Sequence, residues 1–252
     1  MVGLIALWPQ APAAQTDRAV DVAIVLAVDA SASVDAKEFA LQMQGIAEAI
    51  RHPVVVDAIA RGPRGVVALS LVQWSSVGQQ SVILPWTRID GHGSADRVAG
   101  RVLDAPRIYS RSGTAMSQAL NFCMEYLRRL PFRADRMVID ISGDGINRGP
   151  PLLRTVKEEA AMRGVVINGL PILSEVPDLD NYFRDWVIAG ENSFVSIADD
   201  FSAFREAMLI KLLREIQGPP MVSKRRDRLP GEEELHADPV ERGGTGASAE
   251  GP

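Results

Sequence analysis

From Asp21 onward, short apolar runs alternate with longer amphipathic stretches, the rhythm of a parallel sheet flanked by helices. Residues 22–28 are continuously apolar and predict a first strand buried on both faces. Phe39, Met43, Ile46 and Ile50 then share one helical face, with Ser33 and Asp35 as candidate caps before them and Pro53 as a stop after them. Two strand-like runs, 66–74 and 81–86, are joined by a connection short enough for a hairpin, so one edge strand is expected to be antiparallel. Helices are predicted over 94–103 and 114–130, and a strand over 137–141 that runs into Ser142-Gly143-Asp144-Gly145. Pro150-Pro151 opens a helix carrying Leu152, Leu153, Val156 and Ala160, with Gly164 as its stop. A strand at 165–170, a short helix at 181–187 and a last strand at 194–197 follow, and Asp199 or Asp200 caps a final helix that places Phe201, Phe204, Met208 and Leu212 on one face.

Composition sharpens this outline. The folded part is expected to span residues 20–216, because from 217 the chain turns to Gly, Pro, Ser and charge, with Lys224-Arg225-Arg226 and Glu232-Glu233-Glu234, and a disordered tail is expected there. A net charge of -5, from 32 acidic against 27 basic residues with no dominant basic stripe, argues against a nucleic-acid partner. The single cysteine, Cys123, excludes an intrachain disulfide, and its place on one face with Met116, Leu120 and Leu127 predicts a core residue. Residues 1–16 join a short apolar run to Ala11-Pro12-Ala13-Ala14, which resembles the end of a secretory signal without its positive n-region. Such a leader implies a periplasmic or secreted protein, and a cytoplasmic one if it is not a signal. No later segment approaches the ~18–20 apolar residues that a membrane span needs.

In an open parallel sheet, ligands collect beyond the carboxyl ends of the strands, so polar residues that directly follow apolar strands matter most. Asp29-Ala30-Ser31-Ala32-Ser33 follows the first strand and crowds three oxygen-bearing side chains into one turn. Asp144 follows the strand at 137–141, and the polar loop 110–114 delivers Thr114 to the start of a helix. Hydroxyls and carboxylates without histidine or thiolate form a hard-oxygen set that suits Mg²⁺, or Mn²⁺, better than zinc or copper. If Ser31, Ser33 and Thr114 bind directly while Asp29 and Asp144 act through waters, such an ion keeps affinity for one more anionic oxygen, which a partner's carboxylate can supply.

Asp29-x-Ser31-x-Ser33, Thr114 within Ser-Gly-Thr, and Asp144-Gly145 resemble, in order and context, the metal-ion-dependent adhesion site of the von Willebrand factor A domain. The resemblance covers roughly residues 21–216 and extends to stand-alone bacterial A-domain proteins that are often exported. It implies an α/β, Rossmann-like three-layer fold with a mostly parallel central sheet, one antiparallel edge and helices on both faces. It also implies a metal on the upper face held by Asp29, Ser31, Ser33, Thr114 and Asp144, and a protein-binding rather than enzymatic role. Ser142-Gly143 before Asp144-Gly145 departs from the more usual apolar residues and Thr or Ser.

Singly, Asp-x-Ser-x-Ser reads as a cap with a serine-rich turn, Thr114 as a helix cap and Asp144-Gly145 as a turn; their coincidence at strand ends favours the metal reading. Asp140, inside an apolar strand, reads as structural. Trp74 and Trp86 read as core or rim, and Arg111 and Asn147 flank the site in loops. A metal-dependent hydrolase using Ser31 or Asp29 is the main rival, but no Gly-x-Ser-x-Gly elbow is present and His52, His92 and His236 are the only histidines. Phosphoryl transfer by a phosphatase of the related sheet type would want a second carboxylate where Ser31 stands, and no Gly-rich nucleotide loop follows any strand. A metal-independent interaction scaffold is the third reading.

Overall fold

The first strand, β1 (Ala19–Asp29), is buried along nearly its whole length because helices cover both faces of the sheet it centres. A computed structural model describes residues 19–110, 113–149 and 151–218. The sheet runs β3-β2-β1-β4-β5, built from β2 (Val67–Trp74), β3 (Gln80–Ile89), β4 (Arg133–Gly143) and β5 (Val165–Pro171). Strands β2 and β4 flank β1 in parallel, β5 is parallel to β4, and β3 returns antiparallel to β2 as the hairpin spacing predicts. Pro85 sits in β3 where an edge strand can spare a donor, beside a break in the register with β2.

Side chains alternate across β1 and so divide the core in two. Val22, Ile24, Leu26 and Val28 pack beneath α1 (Ala36–Arg51), α2 (Pro53–Ala60), α3 (His92–Leu103) and α7 (Phe204–Gln217). Val25 and Ala27, with Ile139 and Ile141 of β4, face α4 (Met116–Arg128), α5 (Leu153–Met162), α6 (Leu179–Tyr182) and the π-helical turn Phe183–Val187 that continues it. This is the three-layer α/β arrangement expected. Cys123 is fully buried on α4, where desolvation pushes its thiol up, and Trp74 is core. Trp86 is half-buried and stacks on Tyr126 with centroids 5.3 Å apart.

Asp35 caps α1 through a reciprocal pair: its carboxylate accepts from Glu38 N at 2.8 Å, while Asp35 N donates to Glu38 Oε2 at 2.7 Å. Asp35→Ala should therefore cost about 1 kcal/mol in chemical denaturation. Pro53 does end α1, but it also opens α2 as its first helical residue, with His52 Nδ1 accepting from Val54 N. The sequence reading therefore missed one helix. The predicted strand at 194–197 is not a full strand either. It runs beside β5 through isolated bridges, Gly169 with Val195 and Ile172 with Ala198. Asp200 caps the turn that leads into α7, accepting from Ser202 N and Ala203 N, and the helix itself begins only at Phe204.

The expectations for residues 1–16 and for the tail beyond Gly218 lie outside the described residues. Among the described residues, no helix is long and apolar enough to cross a membrane.

Candidate metal centre

Strands β1 and β4 are parallel neighbours in register, Ala27 opposite Ile141, so they bring the segments that follow them to the same place on the upper edge of the sheet. Asp29 is the last residue of β1, and Asp144 comes directly after Gly143, the last of β4. Asp29 Oδ1 accepts from Ser31 N at 2.7 Å, which folds the chain back into a tight turn. Ser31 Oγ lies 3.2 Å from Ser33 Oγ, and Ser33 Oγ donates to Asp144 Oδ1 at 2.8 Å. Four of the five expected residues thus form one continuous polar chain.

Thr114 joins them from the third loop. Its Oγ1 is 3.5 Å from where a Cβ on Gly145 would stand, and its carbonyl accepts from Arg148 N at 2.6 Å. It does not cap α4, whose cap position is Ala115 and carries no side-chain bond. Ser33, Thr114 and Asp144 line one cavity of about 310 Å³, with Arg148 and Glu175 on its wall. Asp29 and Ser31 are fully buried directly behind it.

The electrostatics of this cluster are costly as it stands. Asp29 Oδ2 and Asp144 Oδ2 are buried and have no hydrogen-bond partner. Burial, and then the Asp144 charge, push the Asp29 carboxyl up to about 7, and burial also raises Asp144. A hard cation would answer both orphaned oxygens at once, and the residues present fit one: two carboxylates and three hydroxyls. Among the described residues there is no cluster of three or more His, Cys, Asp or Glu that could hold a metal, so the donor set depends on the hydroxyls.

Several further residues hold this site in shape, Arg107 and Gln42 among them with no sign of it in the sequence. Arg107 Nη2 donates to the carbonyls of Ala30, Ser31 and Val34 at 3.4, 2.9 and 2.5 Å, clamping the loop that carries Ser31 and Ser33. Its guanidinium also lies over the Phe39 ring. Buried Gln42 of α1 donates to the Asp29 carbonyl at 3.1 Å and accepts from Ser142 Oγ, linking the ends of β1 and β4. Asn147 accepts from Ser117 N at 3.0 Å, tying the loop after Asp144 to the first turn of α4. A Cβ on Gly143 would lie 2.9 Å from Asp29 Oδ2 and 3.2 Å from Trp74, so the Ser-Gly departure makes room for the buried carboxylate. Arg111 lies outside the described residues. None of these roles has a periodic or motif signature; a polar residue in a loop reads as solvated unless its partners are known. Arg107→Ala should cost about 2 kcal/mol of stability by urea unfolding, since one charged donor serves three carbonyls.

Comparisons with known proteins place this geometry in context. No curated protein matches the chain. Among solved structures, a von Willebrand factor type A protein from Catenulispora acidiphila is similar over 78% of this chain and 43% of its own, at 16% identity and a TM-score of 0.54. Manganese-loaded TRAP protein from Plasmodium vivax is similar over 79% of this chain and 74% of its own, at 16% identity and a TM-score of 0.53. Proximal thread matrix protein 1 from the mussel byssus, with a zinc-occupied MIDAS motif, aligns over 78% of this chain and 46% of its own, at 17% identity and a TM-score of 0.53. The chain spans less than half the length of the first and third of these. At such identities the likeness establishes the von Willebrand factor A-type fold. The description "Protein of unknown function (DUF1194)" fits residues 19–220, most of the chain, and the protein therefore belongs to that family.

Proposed function

We propose that the protein is a divalent-cation-dependent protein-binding module. Asp29, Ser31, Ser33, Thr114 and Asp144 hold Mg²⁺, with Mn²⁺ as an alternative, and leave one position for a carboxylate of a partner protein. The observation that carries this reading is the pair of buried, partnerless oxygens, Asp29 Oδ2 and Asp144 Oδ2, set among serine hydroxyls behind an open cavity. A bound divalent ion supplies a directional attraction for one anionic oxygen in a partly water-excluded site. The chain's own residues do the rest. Asp29 and Asp144 provide the negative charge, the three hydroxyls fill neutral positions, and Arg107 keeps the Ser31–Ser33 turn fixed so that little ordering is left to occur on binding.

Binding is preferred to catalysis because, among the described residues, no histidine lines the cavity: His52 caps α2 and His92 opens α3. Of the fold neighbours, one is manganese-loaded and another has a zinc-occupied MIDAS motif, which supports a metal-dependent module of adhesion or scaffold type. The test is capture of partners from cell extract on the immobilised full chain in Mg²⁺. Capture should vanish with chelator, with Thr114→Ala, and after the extract's carboxylates are amidated with carbodiimide and glycinamide. Capture that survives all three treatments would overturn the reading in favour of a metal-independent scaffold.

A further inference from the structure

A second polar cluster, sharing no residue with the cavity lining, lies in the core between β4, β5 and α7. Lys211 of α7, Asp140 of β4 and Glu215 of α7 are each essentially excluded from solvent. Lys211 Nζ stands 2.6 Å from Asp140 Oδ1 and 2.5 Å from Glu215 Oε1. Glu215 Oε1 also accepts from Asn168 Nδ2 at 2.9 Å, and Asn168 sits beside Asp140 in the register of β5 with β4. The Phe194 ring covers the ammonium from 5.4 Å. Although Nζ is this close, neither Asp140 oxygen takes part in an aligned hydrogen bond, and Glu215 Oε2 also lacks a partner. Three ionisable groups are thus buried with one lysine for two acids, an arrangement whose desolvation is costly before any pairing.

The structure holds together what an amide condensation needs: an amine against a carboxyl group, a second carboxyl on the same nitrogen to move protons, and a site closed to bulk solvent. We infer that Lys211 and Asp140 join spontaneously into an intramolecular isopeptide bond, with Glu215 as the proton carrier, stapling the last helix to the central sheet. Glu215 carboxylate takes a proton from the Lys211 ammonium. The freed amine attacks Cγ of protonated Asp140, forming the N–C bond. The tetrahedral adduct then loses its hydroxyl, which leaves as water with a proton drawn from the attacking nitrogen through Glu215. Glu215 ends protonated, and the sum is one ammonium, one carboxylic acid and one carboxylate giving one amide, one water and one carboxylic acid. Burial, and then the Glu215 charge, push the Asp140 carboxyl up, which favours the acid form that the attack requires. The product replaces a buried ammonium and carboxylate with a neutral amide, which removes the cost of keeping that pair out of water.

The experiment is the intact mass of the denatured full chain, followed by tryptic mapping. The wild-type chain should weigh one water less than its sequence, whereas Glu215→Gln and Lys211→Met should each show their full sequence mass. The digest should contain residues 137–148 joined to residues 206–214, with Lys211 uncleaved. A wild-type chain at full mass, or a link from Lys211 to Asn168 with loss of ammonia, would overturn the assignment. Because the wild-type mass alone decides the question, a variant that fails to fold does not protect the idea.

Discussion

Asp144→Asn is expected to lower Mg²⁺ affinity by about 10–100-fold, the range that outer-shell partners of a metal command. The same substitution should raise the stability of the chelator-treated protein by about 1 kcal/mol. The opposite signs follow from one arrangement. Asp144 keeps its bond from Ser33 if its Oδ1 becomes an amide oxygen, but the charge that helps push Asp29 up disappears, and with it one anionic donor. Calorimetry reports the first effect and urea unfolding in chelator the second. Loss of stability without loss of metal affinity would mean that Asp144 is a structural turn residue and the cavity is not a cation site.

Trp74→Ala is expected to cost about 3–5 kcal/mol, the range for emptying a fully buried aromatic position. Trp74 closes β2 opposite Asp29 in the register and packs by Gly143, which also adjoins Asp29 Oδ2, so its removal opens a void beside the buried carboxylate. Metal affinity should fall with it, because the Asp29 side chain would no longer be held against a packed wall. Trp74→Phe should be far milder, about 1–2 kcal/mol, since the indole Nε1 has no hydrogen-bond partner to lose. Denaturant midpoints for both variants, with and without Mg²⁺, separate the packing effect from the metal effect. Equal losses for the two variants would show that Trp74 does something other than fill space.

The parts of the fold that were legible in the sequence are those where burial imposes a period. The Phe39–Met43–Ile46–Ile50 face of α1 shows that period directly, and the apolar run in β1 and the short hairpin linker are legible from their length. Pro53 misled because a proline that ends one helix can also serve as the first residue of the next, and the periodicity alone does not separate these. The run at 194–197 is apolar enough for a strand, but it meets β5 only at bridges, a matter of tertiary path rather than propensity. For the candidate site, the five residues could be nominated because each follows the carboxyl end of a strand or precedes a helix in the expected order. Arg107, Gln42 and Lys211 were invisible for the opposite reason. A charged or amide side chain on a loop or helix reads as solvated, and what buries these three is contact with segments distant in sequence.

The central claim is that the oxygen cluster above β1 and β4 is a cation site, and the most direct test is a calorimetric titration of Mg²⁺ and then Mn²⁺ into the chelator-stripped full chain. The account predicts one saturable site per chain, accompanied by a rise in unfolding temperature that grows with the logarithm of free metal. Absence of both heat and stabilisation at millimolar concentrations of either ion would contradict it.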